Sequence, residues 1–157
     1  MKKKFNSQNI KLLISKLSKQ IIQSEFKPTV ILGIGRGGIV PAVMLSHKLN
    51  DIPVASLMLH ITKNFTNRDT KYDFISNEQI SFYRKFEPDD RILIMEDIVD
   101  EGYTIDYMQD LLNRWLPYNK VKFACLILKN EPKFVPDYFG QGVMKNVWVD
   151  LFWEDRK

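Results

Sequence analysis

Four short apolar runs recur along the chain, and between them the apolar residues fall three and four apart. The runs are TVILGI (29–34), IPVASLML (52–59), RILIME (91–96) and VKFACLIL (121–128). They read as strands covered on both faces, because their apolar character is nearly continuous instead of alternating. Residues 39–49 and 104–116 carry helical spacing. So does the segment from Ser7, the expected cap, to about Ser24, with Ile10, Leu13, Ile14, Leu17 and Ile21 on one face and Pro28 closing it. Pro41 is expected in the first turn of the 39–49 helix, where a missing N–H is tolerated. Strands that alternate with helices and are buried on both sides call for a parallel sheet with helices packed on it. The predicted class is therefore α/β: a central, mainly parallel sheet flanked by helices. A chain of 157 residues makes one domain, 1–157, with one real core.

Composition narrows the class of function. With 45% hydrophobic and 27% charged residues the chain is globular. Its longest apolar stretches fall far short of the roughly 20 residues of a membrane helix, so no membrane partner is expected. Met1, Lys2, Lys3 and Lys4 begin like a signal peptide. Residues 10–22 are interrupted by Lys11, Lys16 and Lys19, however, and read as an amphipathic helix. The single cysteine, Cys125, excludes an internal disulfide, suits a reducing cytoplasm and is expected to be a buried, inert thiol. A net charge of +4 permits anionic ligands, but Lys2, Lys3 and Lys4 are too small a patch for nucleic acid, and none is expected. Neither His47 nor His60 has partners at zinc spacing. Residues 60–83 are polar and long for a connection, which predicts a mobile loop that could act as a lid.

Two strand-to-helix turns carry anion-binding chemistry, and ligands of open parallel sheets sit at such turns. The first, Gly33-Ile34-Gly35-Arg36-Gly37-Gly38, matches G-x-G-x-x-G. A dinucleotide site would also need an acid at the end of the second strand. Asp51 precedes that strand and Leu59 and His60 close it, so a nicotinamide or flavin ligand is not expected. What survives is narrower: small residues let backbone amides approach an anion, and Arg36 adds a fixed charge. The second turn lies in ILIMEDIVDEGYTI (92–105), where Gly102 and Thr104 open a helix whose unpaired N–H groups favour phosphate. Glu96, Asp97, Asp100 and Glu101 crowd the same turn. Carboxylates and phosphate are compatible if the ligand is a sugar phosphate. Acids can then accept from ribose hydroxyls, and they stabilise positive charge that develops on the sugar. The same stretch also fits a solvated acidic loop ahead of a capped helix.

Taken together, the two turns make the sequence resemble the type I phosphoribosyltransferases, whose signature is a strand, two acids, an apolar pair and Asp-x-Gly-x-Thr. Here that signature is Glu96-Asp97-Ile98-Val99-Asp100-Glu101-Gly102-Tyr103-Thr104. ILGIGRGGIVPAVMLSHKL is similar to the family's pyrophosphate loop and following helix, as in bacterial xanthine-guanine phosphoribosyltransferases. LILKNEP and VWVDLFWED are similar to the purine-recognition segments of the 6-oxopurine branch. The resemblance implies the family's fold with a small hood, built from the N-terminal helix and 129–157, over a core at about 29–128. It implies transfer of the phosphoribosyl group of 5-phosphoribosyl-1-pyrophosphate to guanine, xanthine or hypoxanthine, with magnesium, in cytoplasmic purine salvage. The protein would be a homodimer or homotetramer.

By the same resemblance, Gly35, Arg36, Gly37 and Gly38 hold pyrophosphate. Glu96 and Asp97 hold the ribose hydroxyls and assist the metal, and Glu154 or Asp155 takes the late acidic position beside metal and pyrophosphate. Asp100, Glu101, Gly102, Tyr103 and Thr104 wrap the 5-phosphate, and Asp100 doubles as proton acceptor from the attacking nitrogen. Lys129 donates to the 6-oxo oxygen, Trp148 stacks on the base and the Val149 backbone meets its edge. Glu101 and Tyr103 depart from the usual residues, so the Glu101 side chain is expected to turn outward. Residues 60–83 lack the Ser-Tyr pair of related mobile loops. Two rivals stand beside this reading: a regulator that binds the same sugar phosphate without catalysis, and a phosphoribosyltransferase for another base.

Overall fold

The computed structural model describes residues 1–58, 80–81, 84–113 and 120–154. The expected mobile loop, apart from 80–81, the last residues of the helix expected over 104–116, and Asp155 lie outside the described residues. In chain order the elements are β1 (Lys2–Phe5), α1 (Ser7–Gln23), β2 (Val30–Ile34), α2 (Gly35–Lys48), β3 (Val54–Leu57), β4 (Ile80–Ser81), β5 (Ile92–Val99), α3 (Tyr103–Asn113), β6 (Val121–Lys129), β7 (Tyr138–Val143) and β8 (Trp148–Leu151). A 3-10 turn, Phe152–Glu154, follows β8.

The main sheet has the order β4-β3-β2-β5-β6-β7 and is parallel except where β4 pairs with β3. The predicted parallel α/β architecture is the one observed. Both faces are covered, which is why the strands read as continuous apolar runs. Ile31, Leu93, Met95, Ala124 and Leu126 pack with α1 and α2, while their neighbours Val30, Leu32, Ile92, Ile94, Phe123 and Cys125 pack with Ile105, Met108 and Leu112 of α3. Cys125 is buried, and burial pushes its thiol up, as suits an inert core residue. Helix α1 is tied to the edge strand β7, since Lys16 Nζ donates to the Gly140 carbonyl at 2.6 Å and Gln20 Nε2 to that of Phe139 at 3.0 Å.

Several local expectations are corrected. Asn6, not Ser7, caps α1: its side chain accepts from the Asn9 N–H at 2.9 Å while Asn9 Oδ1 accepts from the Asn6 N–H at 3.1 Å. Helix α2 starts at Gly35 and so absorbs the GRGG segment. Pro41 consequently lies in its second turn, where the Gly37 carbonyl loses its usual helical donor. Strand β5 runs through Val99, so Glu96 and Asp97 lie inside the strand and do not end it. Strand β7 had no readable signal, because YFGQGV holds two glycines and a glutamine. Its Gly140 passes so near β6 that a Cβ would stand 2.6 Å from the Leu126 carbonyl oxygen. Finally, β1 and β8 pair in parallel as a separate ribbon, with Lys2 opposite Trp148 and Lys4 opposite Asp150.

At the amino ends of β2 and β5 a buried carboxylate locks the sheet. Asp90 is 5% exposed. It accepts two bonds from Arg84, at 2.6 and 2.8 Å, one from the Thr29 hydroxyl at 2.8 Å and one from the Glu87 N–H at 2.7 Å. The Arg84 hydrogen bond holds its carboxyl well below the ordinary carboxylate range. A carboxyl depressed on folding stabilises the protein above its unfolded value and loses that contribution as pH falls into the acid range. Asp90→Ala is expected to destabilise by about 2–4 kcal/mol, since it leaves the half-buried Arg84 without its carboxylate. Urea unfolding at neutral pH measures the loss, which should shrink when both proteins are compared below about pH 3.

Candidate active site

The carboxyl ends of β5 and β6 carry the charged residues singled out in the sequence. Successive strand residues point to opposite faces, and Glu96 and Asp97 follow that rule. Glu96 turns toward α3 and accepts the Thr104 hydroxyl, while Asp97 reaches the first turn of α2, where a Cβ on Gly37 would overlap its carboxylate. Asp97 Oδ1 also accepts the Ile98 N–H at 2.8 Å. The two acids therefore do not converge on one point. Burial, reinforced by the neighbouring Asp97 charge, raises Glu96 to about 8. Burial also raises Asp97, with a contribution from the charge of Glu154. At neutral pH the acid-rich turn thus carries less negative charge than its composition suggests, which eases its conflict with an anion.

Glu96 keeps its proton up to about pH 8 in the fold but releases it near 4.5 when unfolded. Between those values the folded state binds more protons, so stability falls as pH rises. In magnesium-free buffer the thermal midpoint is expected to drop by several degrees across that window. Glu96→Gln should flatten the drop, as scanning calorimetry of both proteins would record.

The turn after β5 has the backbone an anion site needs. Gly102 has φ of +82°, a conformation open to glycine, and a Cβ there would overlap the Phe134 carbonyl. Its own carbonyl accepts the Ile105 N–H at 3.0 Å, which starts α3 and leaves the preceding amides unused by the helix. The β6–β7 connection braces this turn. The Lys133 N–H donates to the Glu101 carbonyl at 2.9 Å and Lys133 Nζ to the Tyr103 hydroxyl at 2.6 Å. Lys145 pairs with the Glu101 side chain at 3.0 Å, so that carboxylate is engaged at the surface, as its departure from the usual residue required. Lys133 and Lys145 carried no signal in the sequence, because a return loop brings them here.

Beside the turn lies a cavity of about 440 Å³. Asp100, Lys129, Trp148, Val149 and Glu154, all expected site residues from three separate segments, line it together. Lys129 Nζ lies 3.1 Å from Asp100 Oδ2. Trp148 is 65% exposed and lines this space, whereas Trp153 packs against the core. Lys2, Lys4, Ile98 and Asp150 complete the wall and were not expected there; pairing of β1 with β8 is what delivers three of them. Gly35, with φ of +59°, and Arg36, exposed on α2, do not line the cavity. Their link to the site runs through Gly37, which abuts Asp97.

Magnesium binds one or two carboxylates and takes its remaining oxygens from water and substrate phosphates. Among the described residues no three His, Cys, Asp or Glu side chains gather as an all-protein metal site. Asp97 and Glu154 fit the smaller donor set: they feel each other's charge, and a shared cation would relieve that repulsion. Glu96, taken by Thr104 on the other face, fits it less well.

The whole molecule has close relatives in shape. It is similar to purine phosphoribosyltransferase from Pyrococcus horikoshii Ot3, with 28% identity, a TM-score of 0.79 and coverage of 99% of this chain and 96% of that one. A hypothetical protein from Neisseria gonorrhoeae with bound ppGpp shares the fold at 22% identity, TM-score 0.77, over 98% of this chain and 90% of the other. So does Helicobacter pylori xanthine-guanine-hypoxanthine phosphoribosyltransferase, at 21% identity, TM-score 0.73, over 99% and 93%. No described helix is long and apolar enough to cross a membrane. The family model for the phosphoribosyl transferase domain matches residues 3–153, a span that takes in both turns and all of the cavity wall except Lys2 and Glu154. By that match the chain belongs to the phosphoribosyl transferase family.

Proposed function

We propose that this protein is a purine-salvage phosphoribosyltransferase that moves the phosphoribosyl group of 5-phosphoribosyl-1-pyrophosphate onto a 6-oxopurine. The observation that carries the reading is the cavity in which Asp100, Lys129, Trp148 and Val149 meet beside the Gly102 turn. The similarity to the Pyrococcus purine phosphoribosyltransferase and the Helicobacter xanthine-guanine-hypoxanthine phosphoribosyltransferase supports it. Backbone amides of the 100–104 turn hold the 5-phosphate, and the Thr104 hydroxyl joins them when it leaves Glu96. Asp97, on the α2 side of β5, receives a ribose hydroxyl, while Glu96 on the other face stays with Thr104 until the phosphate displaces it. Gly35, Arg36, Gly37 and Gly38 hold the pyrophosphate, with Gly37 keeping the backbone close to Asp97.

In the cavity the base stacks on Trp148, sets its edge against the Val149 backbone and offers its 6-oxo oxygen to Lys129. An amino group at that position would face a lysine with only donors, which disfavours adenine. Entry of the base exchanges the 3.1 Å Lys129–Asp100 pair for two substrate contacts. Asp100 then accepts the proton of the attacking ring nitrogen while the bond from that nitrogen to the anomeric carbon forms and the carbon–oxygen bond to pyrophosphate breaks. Asp97 and Glu154 are the residues that would hold magnesium, which would supply positive charge to stabilise the leaving pyrophosphate. Assembly as a homodimer or homotetramer is supported by exposed Leu12 and Ile22 on α1, and a cytoplasmic setting by the lone reduced thiol.

The test is pyrophosphate release from the sugar substrate with magnesium and each of guanine, xanthine, hypoxanthine and adenine. Turnover with 6-oxopurines and little with adenine is expected. Tight uptake of the sugar phosphate with no turnover on any base would instead identify a regulator.

A further inference from the structure

The β1–β8 ribbon does more than close the cavity. Residues two apart share a face of a strand, so Lys2 and Lys4 stand beside Trp148 and Asp150 on the side that lines the cavity. The other side of β8 packs inward through Val149 and Leu151. Three lysines and three acids line the cavity, and most of their charge is already matched. Lys129 pairs with Asp100 at 3.1 Å and Lys2 with Asp150 at 3.0 Å. Glu154 accepts the Leu151 N–H at 3.4 Å, and its charge is felt by Asp97. Lys4 alone of the three lysines has no ion-pair partner among the described residues.

We propose that Lys4, with Lys2 holding Asp150 neutralised beside it, selects a purine that carries a carbonyl at position 2, so that xanthine is the preferred base. The inference rests on the purine reading above and adds the choice among 6-oxopurines. The three candidates share the 6-oxo group met by Lys129 and differ at position 2. Guanine offers an amino donor there, hypoxanthine a C–H, and xanthine an oxygen acceptor on the most acidic of the three rings. An ammonium group has donors and no acceptor, so it favours the oxygen and opposes the amino group. A free carboxylate would favour guanine, but the Asp150 carboxylate is engaged by Lys2.

The experiment compares kcat/KM for xanthine, guanine and hypoxanthine in the wild-type chain and four variants. Wild type is expected to prefer xanthine. Lys4→Met should lower the xanthine-to-hypoxanthine ratio about tenfold, the scale of one charge-assisted hydrogen bond. Lys4→Arg should retain most of it. Lys2→Met, by freeing Asp150, should raise the guanine-to-xanthine ratio. Lys3→Met, on the opposite side of β1, should leave every ratio in place. Thermal melts confirm that each variant is folded, and the separate Lys2 and Lys4 readouts keep the test decisive if one variant misfolds. A guanine preference in wild type, or equal losses for all bases in Lys4→Met, would overturn this base choice while leaving the transferase reading intact. Absence of turnover with every base would overturn both.

Discussion

Asp100→Ala is expected to reduce kcat about 10²- to 10⁴-fold, the range that a positioned acid–base group supplies. The side chain is exposed and among the described residues has one ion-pair partner, Lys129, so its removal costs the fold little. In the proposed site the sugar phosphate would be gripped mainly by backbone amides, which the substitution retains, so its affinity should change by less than about threefold. Asp100→Asn sharpens the test: the amide fills the same space but accepts no proton. Steady-state pyrophosphate release gives kcat and calorimetry gives the sugar-phosphate Kd. A collapse of kcat with near-constant Kd identifies a proton acceptor, whereas wild-type turnover in either variant would remove Asp100 from the chemistry.

Gly102→Ala should have the larger effect on structure, destabilising the protein by roughly 2–5 kcal/mol. One contribution, about 1–2 kcal/mol, is the cost of an L side chain in the left-handed region that Gly102 occupies at φ +82°. The second is overpacking, about 1–3 kcal/mol, because the new methyl would meet the Phe134 carbonyl and backbone cannot swing aside as a side chain can. The turn relaxes by moving off the β6–β7 connection, which disturbs the amides of 100–104. Sugar-phosphate affinity should therefore drop at least tenfold along with stability, and both can be read from denaturant unfolding with and without the ligand. Gly140→Ala, near the Leu126 carbonyl but remote from the turn, should lose stability without that loss of binding. Equal affinity in Gly102→Ala and wild type would mean that the turn is not the phosphate site.

The residues themselves show why some parts of the protein were readable and others were not. The runs that became β2, β5 and β6 are buried on both faces, and continuous burial writes an unmistakable apolar signal. The site turn was readable because its chemistry is local: glycine, threonine and acids within a few residues already define backbone geometry and charge. Strand β7 was hidden, since YFGQGV earns its place through close backbone approach to β6, which favours glycine over apolar side chains. The cap of α1 was misplaced by one residue because Asn6 and Ser7 are both good caps, and the reciprocal bond with Asn9 decides between them.

Sequence alone settled the alternating architecture and the chemical character of the 100–104 turn, because both depend on neighbours in the chain. Tertiary structure decided which charges meet. Glu96 and Asp97 look like one acidic pair, yet the pleat of β5 sends them to different helices. Lys2 and Lys4 look like an unremarkable basic start, yet pairing with β8 carries them to the cavity wall. Parallel pairing between the two ends of a chain leaves no local pattern, since the bonds that specify it lie between backbones and cross the whole sequence.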